Sequence, residues 1–486
     1  MTSASAKNLE ELERRVAFEL ESLAYPSRSW IAPQYHNGYQ VYDVLVVGGG
    51  QNGTTIAFRL LRERVTNICV LDRSVEGRDG PWINFARMHT LRTSKEVIGP
   101  ELGIPSLSAR AWYEAHFGEQ AWTALDKIPR ELWHDYIAWL RRMVGVSVTH
   151  EAEVTDIEPL ADGLLAVTAT IGGKVHTLFA RNVILATGIE GTGRWIIPGF
   201  IADNLPSDRY AHTSEQIDFD ALGGRRIAVI GASASAFDNA ATALEHGAAA
   251  VDLYCRRPGL PVVNPNRWSE FAGFLRHYGD LDDARKWRFM KFIFDMKQPP
   301  PQDGFQRCVR HRNFTLHLGS PVERVKLENG AIQLTVPAAT ITADFIIAGT
   351  GFEIDFSARP ELGRLAPYIA RWSDRYQPPP GEEHPTLGGF PYLSGTFQFT
   401  EKETGSAPYL KNVFCYTYAA MPSLACSAGI SQLKFGVERI GYGITRELFL
   451  ADADRHLANL CDYSYVELDT SAYETAGHTL AQLKSG

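Results

Sequence analysis

At 486 residues, with 48 Lys and Arg against 56 Asp and Glu and a formal charge of −8, the chain has room for two or three domains and lacks the basic tracts of a nucleic-acid binder. Six cysteines, at positions 69, 255, 308, 415, 426 and 461, form no C-x-x-C pair, which argues against a zinc site or redox-active disulfide and for idle thiols in a reducing compartment. No run reaches the ~18 uninterrupted apolar residues of a membrane span and the polar N-terminus lacks a signal pattern, so a cytoplasmic protein without metal or membrane partner is expected.

Leu9, Leu12, Val16, Leu20 and Leu23 recur at helical spacing over residues 8 to 25 and predict an amphipathic helix in an N-terminal arm, 1–37. Tyr42 to Val47 then read as a buried strand entering Gly48-Gly49-Gly50-Gln51-Asn52-Gly53, a G-x-G-x-x-G turn at a helix start. Gly48 suits the tight turn, Gly50 the approach of backbone to a pyrophosphate, and Gly53 the packing of helix on strand, with Gln51 and Asn52 in the turn that faces the diphosphate. The next strand, Asn67 to Leu71, ends in Asp72-Arg73, close to the ~20-residue offset at which an acid takes a ribose hydroxyl. That acid points to FAD or NAD in the first unit.

Gly80-Pro81-Trp82 opens a long segment to Ser108 with no clear period, a length that inside a domain is usually functional. Pro129 to Val144 is expected to be helical, with Trp133, Tyr136, Ile137 and Leu140 on one face. Alternating residues from Val146 to Leu178 lead to an apolar return strand, Arg181 to Leu185, that ends in Ala186-Thr187-Gly188, small residues where backbone sits close to something flat or anionic. A second strand-turn-helix follows, with Gly231, Ser233, Ser235 and Ala236 in a G-x-S-x-x-A turn. Its next strand, Ala250 to Tyr254, ends in Cys255-Arg256-Arg257, and a positive pair there suits the 2′-phosphate of NADPH, the plain alternative being a solvated surface pair. A second return strand, Ala343 to Ala348, runs into Gly349-Thr350-Gly351-Phe352.

The order of nucleotide unit, return strand, second unit and return strand implies an α/β protein of two Rossmann-like domains, one inserted in the other. The expected divisions are 38–204 for the first part of an FAD domain, 205–335 for an NADPH domain, and 336–486 for the second FAD part with C-terminal helices. The helix after Ser423, with Gly429, Ser431, Phe435 and Arg439, either points its N-terminus at a flavin or is a core helix.

The paired nucleotide motifs, together with Ala-Thr-Gly and Gly-Thr-Gly-Phe, resemble the class B flavoprotein monooxygenases over residues from about 40 to 440. Within that group the local matches are to the ornithine and lysine N-hydroxylases. Met88-His89 leading to Lys95-Glu96 is similar to their Met-Gln followed by Lys-Asp, His134-Asp135-Tyr136-Ile137-Ala138-Trp139 to their Asp-Tyr-Leu-x-Trp, and Pro261-Val262-Val263-Asn264 to their Pro-Phe-Val-Asn. His89 stands where the family has glutamine, and Ser94-Lys95-Glu96 also resembles flavin-containing monooxygenases. The histidine that precedes the second unit in Baeyer-Villiger and flavin-containing fingerprints is present as His212, while Pro206 and Asp208 replace their phenylalanine and glycine.

The resemblance implies an enzyme in which NADPH reduces FAD, oxygen forms a C4a-(hydro)peroxyflavin, and an amine or amino acid is N-hydroxylated. Small-molecule substrate and oxygen are then the partners, an oligomer is possible, and closure against water matters more than acid–base groups. Lys95 or Arg92 would hold a substrate carboxylate and Asn264 the substrate or nicotinamide, His212 is a further catalytic candidate, and Met88, His89 and Trp82 would lie at the flavin. The competing readings make Lys95 and Arg92 surface cations, Asn264 a turn former, His212 the neighbour of a helix cap, and Trp82 a packing residue. Baeyer-Villiger oxidation or S-oxygenation by the same intermediate, a reductase without oxygen insertion, and a nucleotide-sensing binding protein are the alternative functions.

Overall fold

Val44 to Val47 are buried on both faces, as a central parallel strand requires, and the whole strand Tyr39–Val47 pairs in parallel with Ile68–Leu71 on one side and Lys174–Leu185 on the other. This is seen in a computed structural model that describes residues 3–475; residues 1–2 and 476–486, the outer ends of the expected divisions 1–37 and 336–486, lie outside the described residues. Val413–Cys415 joins the far edge of Lys174–Leu185 in parallel, so the C-terminal part of the chain contributes a strand to the first sheet. Antiparallel strands Leu165–Ile171, Ala152–Pro159 and Gln34–His36 complete its seven strands. The N-terminal helix, Ser3–Ser22, buries Leu12, Val16 and Leu20 against this unit, while Leu23 lies past its end and is exposed. The helix Arg130–Met143 buries Trp133, Tyr136, Ile137 and Leu140 as its period requires. No described helix is long and apolar enough to cross a membrane.

A second sheet holds five parallel strands in the order Phe314–Leu318, Ala250–Cys255, Arg226–Ile230, Phe345–Ala348 and Tyr210–His212. The helix Ala234–Glu245 follows its glycine turn. The expected boundary at residue 335 is therefore corrected: the second unit runs through Ala348. The edge of Lys174–Leu185 is already taken by Val413–Cys415, whereas Arg226–Ile230 offers an open edge to the apolar strand Phe345–Ala348. Gly193–Trp195 and Phe352–Ile354, the two stretches that cross between the units, then lie side by side as an antiparallel pair.

A second correction concerns residues 265 to 296, inside the expected 205–335 division. Phe274, Tyr278, Trp287, Met290 and Ile293 are buried in the hydrophobic cluster of the first unit, away from that of the second sheet. The Trp287 indole N–H donates to the Glu382 carbonyl at 2.7 Å, and the Tyr278 hydroxyl lies 2.9 Å from the carbonyls of Pro422 and Lys286. The chain thus leaves the second unit, docks the helices Ala272–His277 and Asp283–Met296 on the first, and returns at Gln302–Val309. Tyr278→Phe leaves the Pro422 carbonyl buried without this donor and is expected to lower the unfolding free energy by about 1–2 kcal/mol, read from denaturant unfolding. An unchanged midpoint would contradict this anchoring.

Candidate active site

Two glycines of the first turn are required by the protein itself. Gly48 has φ 107° and a Cβ there would stand 2.5 Å from the Ala186 carbonyl oxygen; at Gly53 a Cβ would stand 1.8 Å from the Gly48 carbonyl oxygen. Gly50 is different. Its φ is −64°, and a Cβ would meet no protein atom nearer than 3.7 Å, because the space in front of it is the open part of a cavity. The helix Gln51–Arg62 that starts there has neither a side-chain cap nor an acid in its first turn, which leaves its first amides free to receive an anion. A diphosphate fits this cradle: it explains a glycine and an uncapped helix that the polypeptide alone does not need.

The cavity measures about 960 Å³ and is lined by Gly48, Gly50, Gln51, Asn52, Asp72, Arg73, Trp82, Met88, Arg92, Ala186, Thr187 and Gly188. Asp72 is buried at its floor, where one carboxylate oxygen accepts from the Gly49 amide at 2.7 Å and the other from the Ser74 amide at 2.8 Å. Arg73 reaches across to Glu190 at 2.7 Å. Further lining, which sequence patterns do not reveal, comes from Ile293 and Phe294 of the helix Asp283–Met296 and Lys297 just past its end, from Arg359 and Glu361, and from Tyr418 and Met421. Phe85 and Trp195 add aromatic surface.

Several polar contacts fix the cradle from behind. Arg141, on the helix Arg130–Met143, donates to the Gly49 carbonyl at 2.7 Å, to the Thr54 hydroxyl at 3.1 Å, and to the buried carboxylate of Asp79. The only sequence signal for it is an arginine four residues after Ile137, on an otherwise apolar helix face. Gln51 accepts from the Trp133 indole at 3.1 Å and donates to the Ala428 carbonyl at 3.3 Å, which ties the first nucleotide turn to the start of the long helix Ile430–Ala451. Gly429 and Ile430 at that uncapped start line the cavity; Ser431, expected to do so, does not. The Gln432 side-chain carbonyl instead accepts from the Ser427 amide and hydroxyl, at 2.8 and 2.6 Å.

Other expected site residues lie elsewhere. The Lys95 ammonium donates to the carbonyls of Trp122 and Leu125 and packs 5.1 Å over the Trp122 ring, closing the end of the helix Glu119–Ala124 beside a smaller cavity of about 290 Å³. A cation there is bound by helix-end carbonyls, which is why it does not face the large cavity. Asn264 accepts from the amides of Asn266 and Arg267 as the cap of the short helix Pro265–Trp268, and its neighbours Pro265 and Asn266 reach the cavity. His89 points away from Met88 and stands 3.8 Å from Glu245 of the second unit. His212 is buried at the end of Tyr210–His212, its ring tilted against Trp195 at 5.1 Å, with Nδ1 beside the Ser214 hydroxyl and amide. Burial pushes its imidazole down to about 4, so it is neutral at physiological pH.

The second turn has its own constraint. Gly231 has φ 114° and a Cβ would fall 2.2 Å from the Gly349 carbonyl oxygen, while Ala236 fits because Gly349 faces it. Ser233 caps the helix start without a side-chain hydrogen bond, and the Ser235 carbonyl accepts from Asn239. Thr350 donates to the Ile196 carbonyl and the Gly351 carbonyl accepts from the Ile196 amide, which joins the two crossing stretches. Arg256 is exposed and Arg257 half-buried at the end of Ala250–Cys255, and among the described residues neither pairs with a carboxylate. None of these residues lines the large cavity.

Residues 45–190 match a family described as FAD-NAD(P)-binding. The chain is 40% identical over 462 residues to the FAD-dependent urate hydroxylase of Xanthomonas campestris pv. campestris, covering 95% of this chain and 97% of that one. In three dimensions it is similar to ornithine hydroxylase from Pseudomonas aeruginosa, with a TM-score of 0.65 and 17% identity over 84% of this chain and 100% of that one. L-Lysine 6-monooxygenase from Pseudomonas syringae gives a TM-score of 0.63 at 17% identity, over 83% and 99% of the two chains.

Gly50→Ala is expected to leave the unfolding of the apoprotein within about 0.5 kcal/mol of wild type while FAD content of the purified protein falls several-fold; Gly53→Ala should lose both fold and flavin. Full flavin content in Gly50→Ala would mean that no diphosphate lies against residue 50.

Proposed function

Because the chain belongs to the family of the FAD-dependent urate hydroxylase of Xanthomonas campestris, flavin-dependent monooxygenases that use NADPH, we propose that it hydroxylates a urate-type oxopurine. The observation that carries this reading is identity of 40% over 462 residues, 95% of the chain. FAD, once bound and reduced by NADPH, supplies the activation of molecular oxygen for transfer of one atom to the substrate.

In this reading the amides at the start of Gln51–Arg62 and the open face of Gly50 receive the FAD diphosphate, and Asp72 takes a ribose hydroxyl. Arg256 and Arg257 receive the 2′-phosphate of NADPH. A flat conjugated anion is served by the aromatic faces of Trp82, Phe85, Trp195 and Tyr418 and by the Arg92 guanidinium, all of which line one cavity. Exclusion of water falls to the docked helix Asp283–Met296, whose Ile293 and Phe294 line the cavity.

N-hydroxylation of an amine or amino acid is the second reading, favoured by the sequence matches around Met88, Lys95 and Asn264. Its weak point is Lys95, whose ammonium is already satisfied by two carbonyls. The two are separated by substrate-stimulated NADPH oxidation in the FAD-loaded enzyme. Urate should accelerate it and disappear in step with NADPH, whereas ornithine, lysine and simple amines should not; the opposite pattern would replace the oxopurine reading with the amine one. Neutralising Arg256 and Arg257 together is expected to raise the NADPH KM at least about tenfold and the NADH KM less than about twofold, since each charge-assisted contact contributes roughly 1.5–3 kcal/mol. Equal losses would show that the pair does not read the 2′-phosphate.

A further inference from the structure

One face of the helix that follows the second glycine turn is bound along its length to the cavity segment of the first unit. Asp238, Thr242 and Glu245 stand at helical spacing on Ala234–Glu245. Asp238 accepts from Arg92 Nη2 at 2.7 Å, and Glu245 holds Arg307 at 2.8 and 2.7 Å while facing His89 at 3.8 Å. Arg307 in turn donates to the Arg87 carbonyl at 3.1 Å, and the Arg87 guanidinium lies 5.5 Å from the Phe219 ring. Residues 87 to 92 thus form a strap whose side chains divide between two neighbours. His89 faces the coenzyme-unit helix, Met88 and Leu91 face the cavity, and Arg92 does both.

The Arg92–Asp238 pair is unlike the surface pairs of this chain. The Asp238 side chain is only 3% exposed, and its second oxygen is buried without a hydrogen-bond partner among the described residues. Burial raises the Asp238 pKa, while the hydrogen-bonded Arg92 and, further off, the Arg307 charge pull it down. Leaving the buried Asp238 carboxylate without this partner is costly, so the contact ties one nitrogen of the partly exposed Arg92 guanidinium to the second unit while Arg92 lines the cavity.

We propose that Asp238 is a positioning residue that sets Arg92 for recognition of the anionic substrate, so that the placement of the coenzyme unit controls how well the cavity binds that substrate. The inference rests on the oxopurine reading above. It gives the chain a route by which bound NADP⁺ strengthens substrate binding without touching the substrate, because any ligand that steadies Ala234–Glu245 steadies Arg92.

The test is the urate Kd of the oxidised, FAD-loaded enzyme, followed by perturbation of the flavin spectrum, with and without saturating NADP⁺. In wild type NADP⁺ should tighten urate binding by about fivefold or more, the usual lower range of coupling between sites. In Asp238→Asn that factor should fall toward one, with FAD content and NADP⁺ affinity within about twofold of wild type. Arg92→Lys, which keeps the charge and loses the planar fork, should likewise lose the coupling, and it decides the matter if Asp238→Asn does not fold. A merely structural pair would lower stability and leave the NADP⁺ factor intact, which would overturn the proposal. Wild-type enzyme that does not bind urate would overturn the oxopurine reading and this inference with it; wild type that binds urate equally well with and without NADP⁺ would overturn the inference alone.

Discussion

The structure depends on one steric constraint used twice. At the end of the central strand of each sheet, a glycine with positive φ lies so close to the exit of the neighbouring parallel strand that no Cβ could be accommodated. Gly48 meets the Ala186 carbonyl and Gly231 meets the Gly349 carbonyl. Each contact forces the chain to turn at once into a helix, and that leaves uncapped amides at the carboxyl end of a parallel sheet, where nucleotides bind. The third position of the motif follows from the same geometry. Gly53 is obligatory because the Gly48 carbonyl fills the space of its side chain, whereas Ala236 is tolerated because its neighbour across the turn, Gly349, has no side chain of its own.

What turns two nucleotide units into one site is the material between them. The excursion through residues 265 to 296 leaves the second unit and closes the cavity from the first, and the strap at 87 to 92 is held on the second unit while lining the cavity of the first. The paired stretches Gly193–Trp195 and Phe352–Ile354 and the two ends of the 265 to 296 excursion join the units covalently, and side-chain contacts such as Arg92–Asp238 and the Arg307 guanidinium on the Arg87 carbonyl help to fix how the units sit. A monooxygenase must bring a nicotinamide to its flavin and afterwards keep water out, and a pair of units held by a few strong polar contacts can serve both tasks.

The legible part of the sequence was the part governed by local periodicity and by sterics. Val44 to Val47, the G-x-G-x-x-G turn, the helix Arg130–Met143 and the α/β class follow from spacing alone, because buried strands, glycine turns and amphipathic helices each have a period. Two kinds of information were not local. Which sheet a four-residue apolar strand joins depends on which edge is open, so Phe345–Ala348 was assigned to the wrong unit. The amphipathic helices of 265 to 296 show an apolar face without naming its partner. Side-chain direction in irregular backbone was also out of reach: Lys95 turned to a helix end, Asn264 to a cap and His89 to the far unit, and in each case a neighbouring residue or none took the expected place. Arg141 and Asp79, a buried pair behind the glycine turn, carry no motif at all.

The central claim is that the two units share one active site in which NADPH delivers its hydride to FAD. The most direct measurement is anaerobic mixing of the FAD-loaded enzyme with NADPH in a stopped-flow spectrophotometer. The account predicts loss of the visible flavin absorbance in a single enzyme-bound step, much slower with NADH. Flavin that stays oxidised in the presence of saturating NADPH, with or without urate, would contradict it.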